Sequence, residues 1–457
     1  MPGLAVPVGS PSAGSPLSAD GERARHVVLF QSSWPLQSHS LSLAEELRAS
    51  GYEVTLCLHD VDMGDVGWHG DISDGITIRT WALREVHSQQ QTTSERDTGN
   101  SAVRRGMALA NRLLSGALRR ARGVREGALL LLGSPRGLVP AAALRESTEL
   151  VAVAGDCVLI GVEKAGLVWA GQVASKTNNA LVYYSLELYT RDYPFIKWNY
   201  RWRRLKRAEE HFHRIADATI VQDEARARVL LADNGVVETR VAYLPVSLQG
   251  PAQASHSNRL HRSLGLSTDT PIVLQLGLIW EHRLSVDLAA AAQGFPEGWM
   301  LVMHGYGEQS CIDAVRRADT QHRALLSLAM VPYGDLAQLV ASARVGLVLY
   351  AAWPENDRLT ARSSEKLAMF LRAGVPVIAF NYPGYEILSS YDCGVLIGNL
   401  DELPAALEAV EARREEMSVN ACVCFSEEYD FTRTVRPSLA VVAELAGRRG
   451  RDATHAQ

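Results

Sequence analysis

The segment between residues 356 and 380 has the composition of an anion-binding helix start. It reads NDRLTARSSEKLAMFLRAGVPVIAF, and its polar part contains Arg358, Ser363, Ser364 and Lys366 just before an apolar helix. Ser363 or Ser364 can cap that helix, whose first N–H groups and dipole favour an anion. Lys366 lies in the first turn, where a cation is unfavourable unless an anion offsets it. A solvated surface turn explains the same residues equally well.

Two other loops of this half carry residues that a phosphate group could contact. LVMHGYGE ends a strand in His304, Gly305 and Tyr306, and its glycines let a ligand approach the backbone closely. Taken alone, a plain strand-to-helix turn is the better explanation of this fragment. Arg283 follows Gly277 on the loop that leaves the first strand of this half, and it is a further candidate phosphate contact.

The overall composition limits the class of protein. The chain has 457 residues, of which 47% are hydrophobic, and a net charge of -5. This length predicts at least two domains, and the mild acidity argues against a nucleic-acid partner. Only five of the 46 basic residues are lysines, which indicates a high-GC, bacterial coding bias. The scattered cysteines and histidines lack zinc or disulfide spacing, so we expect reduced thiols and no metal.

Targeting and membrane signals are weak. Residues 1–24 lack a basic region and an apolar core, so we expect a disordered tail rather than a secretion signal. No run approaches the roughly 18 apolar residues that suggest a membrane span, and we expect a cytoplasmic protein. The arginine-rich stretch 101–127 could lie on an anionic membrane. This stretch has no Trp or Phe that could anchor it in a membrane. We therefore favour a helix that is solvated or packed in a dimer over membrane association.

Strand and helix patterns alternate in both halves of the chain. The Pro-, Ser- and His-rich segment 249–270 separates a first α/β region, 25–250, from a second one, 270–424. Strands with near-continuous Val, Leu and Ile favour buried parallel sheets. The sequence therefore predicts an α/β protein of two Rossmann-like domains, with a shared site in the cleft at the carboxyl ends of the strands.

The second half resembles the nucleotide-sugar-binding domain of family 4-type glycosyltransferases, which have the GT-B fold. The resemblance runs through LQLGLIWEHR, LVMHGYGE, MVPYGDLAQLVASARVGLVLY, SSEKLAMFLRAGVPVIAFNYPGYEIL and CGVLIGNLDEL, in that order. It implies two domains facing each other across a cleft, with a C-terminal helix near 425–447 packing back on the first. It implies that the donor diphosphate is held by Arg283, Ser363, Ser364 and Lys366, and the nucleobase by backbone near Val331 and Tyr333.

The sequence also departs from the family pattern. Family members have two glutamates eight positions apart, and those positions here are Ala361 and Met369. The usual arginine after the first-strand glycine is Leu278. These changes bear on how the ribose and sugar hydroxyls are held and on which nucleotide is used. Glu355 or Glu365 could substitute for the missing pair.

The first half resembles the acceptor-binding half of the same enzymes more loosely. AGDCVLIG, in a strand predicted over 150–161, carries Asp156, and YYSLELY carries Glu187. Both acids are predicted to lie at strand carboxyl ends. Trp34 and His39, on the loop after the first strand, are further candidate acceptor contacts. Glu187 could instead cap or pair with the basic helix predicted over 197–217.

The resemblance implies a retaining glycosyltransferase that needs no metal and no cofactor beyond a UDP, GDP or TDP sugar as co-substrate. It implies no obligatory protein nucleophile, so no catalytic residue is assigned. A bacterial enzyme of natural-product (antibiotic) biosynthesis fits, and cell-surface polysaccharide assembly fits nearly as well. A nucleotide-sugar epimerase, a pseudo-glycosyltransferase or a non-catalytic α/β binding protein are the alternatives. The accepting atom, the acceptor (a small molecule or a glycan) and homodimer formation stay open.

Overall fold

A computed structural model describes residues 26–32, 38–59, 75–81 and 137–454 of the chain, with side chains up to residue 447. Trp34, the tail 1–24 and the arginine-rich stretch 101–127 lie outside these residues. No helix within the described ranges is both long and apolar enough to cross a membrane.

The first domain is built on a parallel sheet of seven strands in the order β3-β2-β1-β4-β5-β6-β7. Its apolar runs form strands because helices cover both faces and bury them. The strands are His26–Gln31 (β1), Glu53–His59 (β2), Ile76–Trp81 (β3), Cys157–Val162 (β4), Ala180–Tyr184 (β5), Ala218–Val221 (β6) and Arg240–Tyr243 (β7). The helices are Ser38–Ala49 (α1), Ala141–Ala154 (α2), Glu163–Thr177 (α3), Pro194–Trp198 (α4), Tyr200–His213 (α5) and Glu224–Asn234 (α6).

The second domain contains a parallel sheet of six strands in the order β10-β9-β8-β11-β12-β13. The strands are Ile272–Leu276 (β8), Met300–His304 (β9), Ala324–Ser327 (β10), Val345–Val348 (β11), Val377–Phe380 (β12) and Gly394–Ile397 (β13). The helices are Arg259–Leu264 (α7), Ser285–Ala291 (α8), Gln309–Ala318 (α9), Leu336–Val340 (α10), Glu355–Arg358 (α11), Glu365–Arg372 (α12), Glu386–Ser390 (α13), Leu403–Ala412 (α14) and Arg414–Glu428 (α15). Short 3-10 turns lie at Glu281–Arg283, Ala292–Gly294, Tyr333–Asp335 and Leu400–Glu402.

The end of the chain returns to the first domain. Helix α15 is followed by Phe431–Thr434 (α16) and Arg436–Thr454 (α17). A bridge between Leu248 and Asp430 marks the crossing. Buried side chains of α16 and α17, including Phe431 and Val442, belong to the same apolar core as the first sheet.

The predicted α/β fold of two parallel sheets is confirmed, but two element boundaries were wrong. The strand predicted over 150–161 begins only at Cys157, because α2 runs to Ala154 and Gly155 ends it at a φ of 77°. Asp156 therefore precedes β4, at its amino end. The basic helix predicted over 197–217 is broken at Asn199, whose side chain accepts hydrogen bonds from the first N–H groups of α5 and caps it.

Candidate functional site

Two glycines bring the loops after β8 and β9 into direct contact. Gly277 and Gly305 follow these strands immediately, at their carboxyl ends. A Cβ on Gly305, whose φ is 152°, would lie only 1.9 Å from the carbonyl oxygen of Gly277. A Cβ on Gly277 would lie 3.6 Å from Nζ of Lys366. Only glycine permits this approach, so backbone and ammonium group line one small region of the cleft.

Two cations of this region face one buried tyrosine. The Arg283 guanidinium carbon lies 4.4 Å from the ring centroid of Tyr350, and Lys366 Nζ lies 5.0 Å from it. Burial raises the pKa of Tyr350, but the positive charges of Lys366 and Arg283 outweigh burial and lower that pKa overall. The ring thus orients both cations without neutralising them, and Tyr350 was not identified from the sequence.

The start of α12 differs from the capped helix expected from the sequence. Ser364 occupies the N-cap position but makes no side-chain cap, because its hydroxyl is hydrogen-bonded to the Tyr350 hydroxyl at 3.0 Å. Ser363 lies 3.1 Å from a guanidinium nitrogen of Arg226, from the first domain. The N–H groups of Leu367 and Ala368 donate to the carbonyl of Ser364. Those of Glu365 and Lys366, the first two of α12, precede the hydrogen bonds of the helix and can meet an anion.

Asp357, which was not predicted from the sequence as a site residue, balances the charge of Arg283. Asp357 is buried, and its Oδ1 accepts from Nη1 of Arg283 at 3.3 Å. Burial raises the pKa of Asp357. The positive charge of Arg283 opposes this increase, and the negative charge of the nearby Glu187 adds to it. The sequence shows Asp357 within the triplet NDR, beside the other polar residues of this segment. Nothing in the sequence indicates that Asp357 pairs with Arg283, which lies 74 residues earlier.

Arg358 and Arg362, the first two arginines of the segment 356–380, do not join the cluster. Arg358 pairs with Glu355 on α11 at 3.3 Å. Arg362 pairs with Glu428 at 2.8 Å and lies over the ring of Tyr429, so it faces α15. The cationic part of the site is therefore built on Arg283 and Lys366.

The predicted nucleobase region contacts the start of α12. Tyr333 donates a short hydrogen bond to the carboxylate of Glu365, the first residue of α12. Tyr306 is 63% exposed, and Val331 is half-buried close to the cluster around β11 and α12. His304, which ends β9, is held by Ser327 at 2.9 Å, and burial lowers its pKa.

The predicted acceptor residues are only partly brought together. Glu187 follows β5, and its Oε2 accepts a hydrogen bond from the Asn356 amide of the second domain at 3.0 Å. It does not pair with the helix that follows. His39 lies in the first turn of α1. Burial lowers the pKa of His39, and the negative charge of Glu365, in the second domain, offsets part of that decrease. Asp156 is exposed at the opposite end of its sheet, so its predicted place in the cleft is wrong.

Comparison with known structures identifies the architecture. The chain is similar to sucrose-phosphate synthase from Thermosynechococcus elongatus, with 16% identity, a TM-score of 0.57 and coverage of 92% of this chain and 93% of that one. It is similar to Anabaena HepE in complex with UDP and glucose, with 12% identity, a TM-score of 0.58 and coverage of 92% and 99%. The fold is GT-B.

A third GT-B structure, E. coli trehalose-6-phosphate bound with UDP-2-fluoro glucose, matches with 13% identity, a TM-score of 0.58 and coverage of 92% and 98%. No family model matches the sequence. No curated protein sequence matches it either. Within this GT-B frame, the cluster of Gly277, Arg283 and Lys366 lies where parallel strands end, which is the ligand-binding edge of open α/β sheets.

Proposed function

We propose that the protein is a glycosyltransferase that takes its sugar from a nucleotide-diphosphate donor. The observation that carries the proposal is the convergence of Arg283 and Lys366 on Tyr350, beside the partly exposed backbone of Gly277. Fixed cations, free helix N–H groups and a close glycine backbone are the groups that bind a diphosphate. Anabaena HepE, solved with UDP and with UDP-glucose, supports this choice of ligand.

The same groups can assist the reaction. Negative charge grows on the leaving diphosphate as the glycosidic bond breaks, and prepositioned cations and N–H dipoles stabilise it. Arg283, Lys366 and the start of α12 supply that stabilisation from the protein itself, so the proposed transfer needs no metal. We propose transfer with retention of configuration, without a protein nucleophile.

The acceptor belongs in the first domain's half of the cleft. Glu187 and His39 are the predicted acceptor residues that lie next to the second domain, through Asn356 and Glu365. The proposed acceptor is a small molecule or a glycan, and bacterial natural-product (antibiotic) biosynthesis is the proposed setting.

Calorimetric titration with UDP, GDP, TDP and ADP, with and without EDTA, tests the proposal. We expect one nucleotide to bind tightly, with affinity that EDTA leaves unchanged. Release of free sugar from the matching nucleotide sugar would then favour a transferase over an epimerase, since transferases leak sugar to water. Absence of binding by all four nucleotides would contradict the proposed donor site.

A further inference from the structure

A second cationic site lies in the first domain, away from the donor cluster. A cavity of about 370 Å³ opens between α4 and α5. Its wall is made almost entirely of basic side chains, with one carboxylate, and consists of Arg191, Ile196, Lys197, Arg203, Lys206, Arg207 and Glu210. The stretch from 194 to 207 contains six basic residues and no acid. Such a concentration of charge in one concave surface favours an anionic ligand.

The internal ion pairs leave a positive excess at this cavity. Arg191 is matched by Glu210 at 2.5 Å, and Lys206 is matched by Glu209 at 3.1 Å and Asp233 at 2.5 Å. Arg203 and Arg207, both exposed, form no ion pair with any described residue. They lie one helical turn apart on α5 and so point to the same side.

Two tryptophans flank these cations at the surface. Trp198 is 79% exposed, the largest exposure of any aromatic side chain in the described residues, and Lys197 Nζ lies 5.9 Å from its ring. Trp202 is 39% exposed and packs edge-on against Phe195. Leaving large aromatic surface in water is costly, whereas Trp is enriched where a membrane meets water. We name Lys197, Trp198, Trp202, Arg203 and Arg207 the basic-aromatic patch.

We propose that the basic-aromatic patch docks the protein on an anionic lipid bilayer, with a lipid phosphate in the adjoining cavity. The cations of Arg203 and Arg207 match the charge of anionic headgroups, and Trp198 enters the headgroup layer. The stretch 101–127 offers cations without aromatic anchors, whereas α4 and α5 offer both.

The patch also adjoins the cleft. Tyr193, the N-cap of α4, stacks on Trp353 of the second domain, with ring centroids 6.1 Å apart. Docking on this surface therefore holds the cleft beside the membrane. A free anion in the cavity would make no use of the exposed tryptophans, which favours the lipid source over soluble phosphate.

Co-sedimentation of the full chain with vesicles tests this docking. One set of vesicles contains phosphatidylcholine alone, and the other contains phosphatidylcholine mixed with phosphatidylglycerol. We expect binding to the mixed vesicles only, weakening as salt is added. The double variant Arg203→Gln/Arg207→Gln should bind about 30-fold more weakly, since each basic residue near such a surface contributes roughly fivefold. Trp198→Ala should bind several-fold more weakly.

A matched control keeps the result specific. Arg316 and Arg317 are exposed on α9 of the second domain, and Arg316→Gln/Arg317→Gln removes the same charge from another surface. This control should bind as the parent does, and unchanged thermal unfolding would show that all variants fold. Equal binding of the Arg203/Arg207 double variant and the parent would overturn the proposal. So would binding to phosphatidylcholine alone, or calorimetric binding of inorganic phosphate without vesicle binding.

Discussion

Arg226 of the first domain donates a hydrogen bond to Asn356 of the second, with 3.1 Å between Nη2 and Oδ1. The same buried guanidinium donates to the carbonyl of Leu359 at 2.9 Å and to that of Leu186 at 2.8 Å. Asn356 in turn holds Glu187. One arginine therefore fixes the loop that carries Asp357 against the first sheet, and with it the position of the donor cluster relative to the acceptor half.

Replacing this arginine should weaken the contact between the domains. In Arg226→Lys the charge remains, but an ammonium group cannot reproduce the fork of bonds to Asn356 and Leu359. We expect the free energy of unfolding to fall by about 2–4 kcal/mol, because buried acceptors lose their donors. Equilibrium unfolding in denaturant measures this change in the free energy of unfolding. Arg228→Lys, on the same helix but exposed and paired with Glu224 at 3.9 Å, should change the free energy of unfolding by less than about 0.5 kcal/mol. Equal effects in the two variants would contradict the proposed role.

The donor cluster gives a second prediction. Arg283→Ala and Lys366→Ala should each weaken binding of the nucleotide identified by calorimetry by roughly 10- to 100-fold, since a charge-assisted hydrogen bond contributes about 1.5–3 kcal/mol. Arg317→Ala removes a cation from an exposed position on α9 and should leave the affinity unchanged. Parent-like affinity in both cluster variants, if they are folded, would exclude this site as the diphosphate site.

The contact between the two glycine loops can be tested with paired glycine variants. Gly305→Ala forces a Cβ into the carbonyl oxygen of Gly277, so the β8 and β9 loops must separate. Gly298→Ala, at a φ of 81°, adds a similar backbone strain but meets nothing within 4 Å. We expect roughly 1 kcal/mol of destabilisation for Gly298→Ala and at least about 2 kcal/mol more for Gly305→Ala, with loss of nucleotide binding only in the latter. Thermal unfolding and calorimetry measure both effects.

A buried histidine should make the first domain sensitive to acid. His213 is fully buried between Thr219 and Asn234, each at 2.8 Å, and burial lowers its pKa to about 4 from an ordinary value of 6.5. Below pH 6.5 the His213 side chain becomes protonated in the unfolded chain, whereas in the folded chain it stays neutral down to about pH 4. The contribution of His213 to the free energy of unfolding should therefore fall by up to about 3 kcal/mol as the pH drops across this window.

Unfolding curves recorded between pH 4 and pH 7 check this dependence. In His213→Gln the slope contributed by this residue should disappear. His211→Gln, at an exposed position on the same helix, should keep the slope of the parent. A slope that survives in His213→Gln would assign the acid sensitivity to other groups.

Local patterns in the sequence predicted the sheets and the cationic loops well. Continuous runs such as VVLF and VLQL are buried strands because both sheet faces are covered, and glycine follows β8 and β9 where a strand must turn sharply. Arg283 and Lys366 come close to each other because they follow the carboxyl ends of β8 and β11, which are neighbours in the sheet. Chain order does not give that adjacency, and only the family resemblance implied that the two cations act together.

Contacts between segments that are distant in sequence could not be predicted from such local patterns. The Arg226–Asn356 bond and the Arg283–Asp357 pair depend on how the two domains and their loops pack, which no spacing encodes. Ser363 or Ser364 was expected to cap α12, but the hydroxyl of Ser363 is hydrogen-bonded to Arg226 and that of Ser364 to the Tyr350 hydroxyl. Asp156 was misplaced because the apolar run LVAVA, predicted as part of a strand, belongs to the last turns of α2, so β4 begins after Asp156.

The return of α16 and α17 to the first domain affects how the protein is made. The core of the first sheet lacks Phe431, Val435, Val442 and Leu445 until the last helix has been synthesised. The second domain, whose strands all lie between residues 272 and 397, is complete in sequence before that point. During synthesis the second domain can therefore reach its final core first, while the first domain waits for α16 and α17 to leave the ribosome.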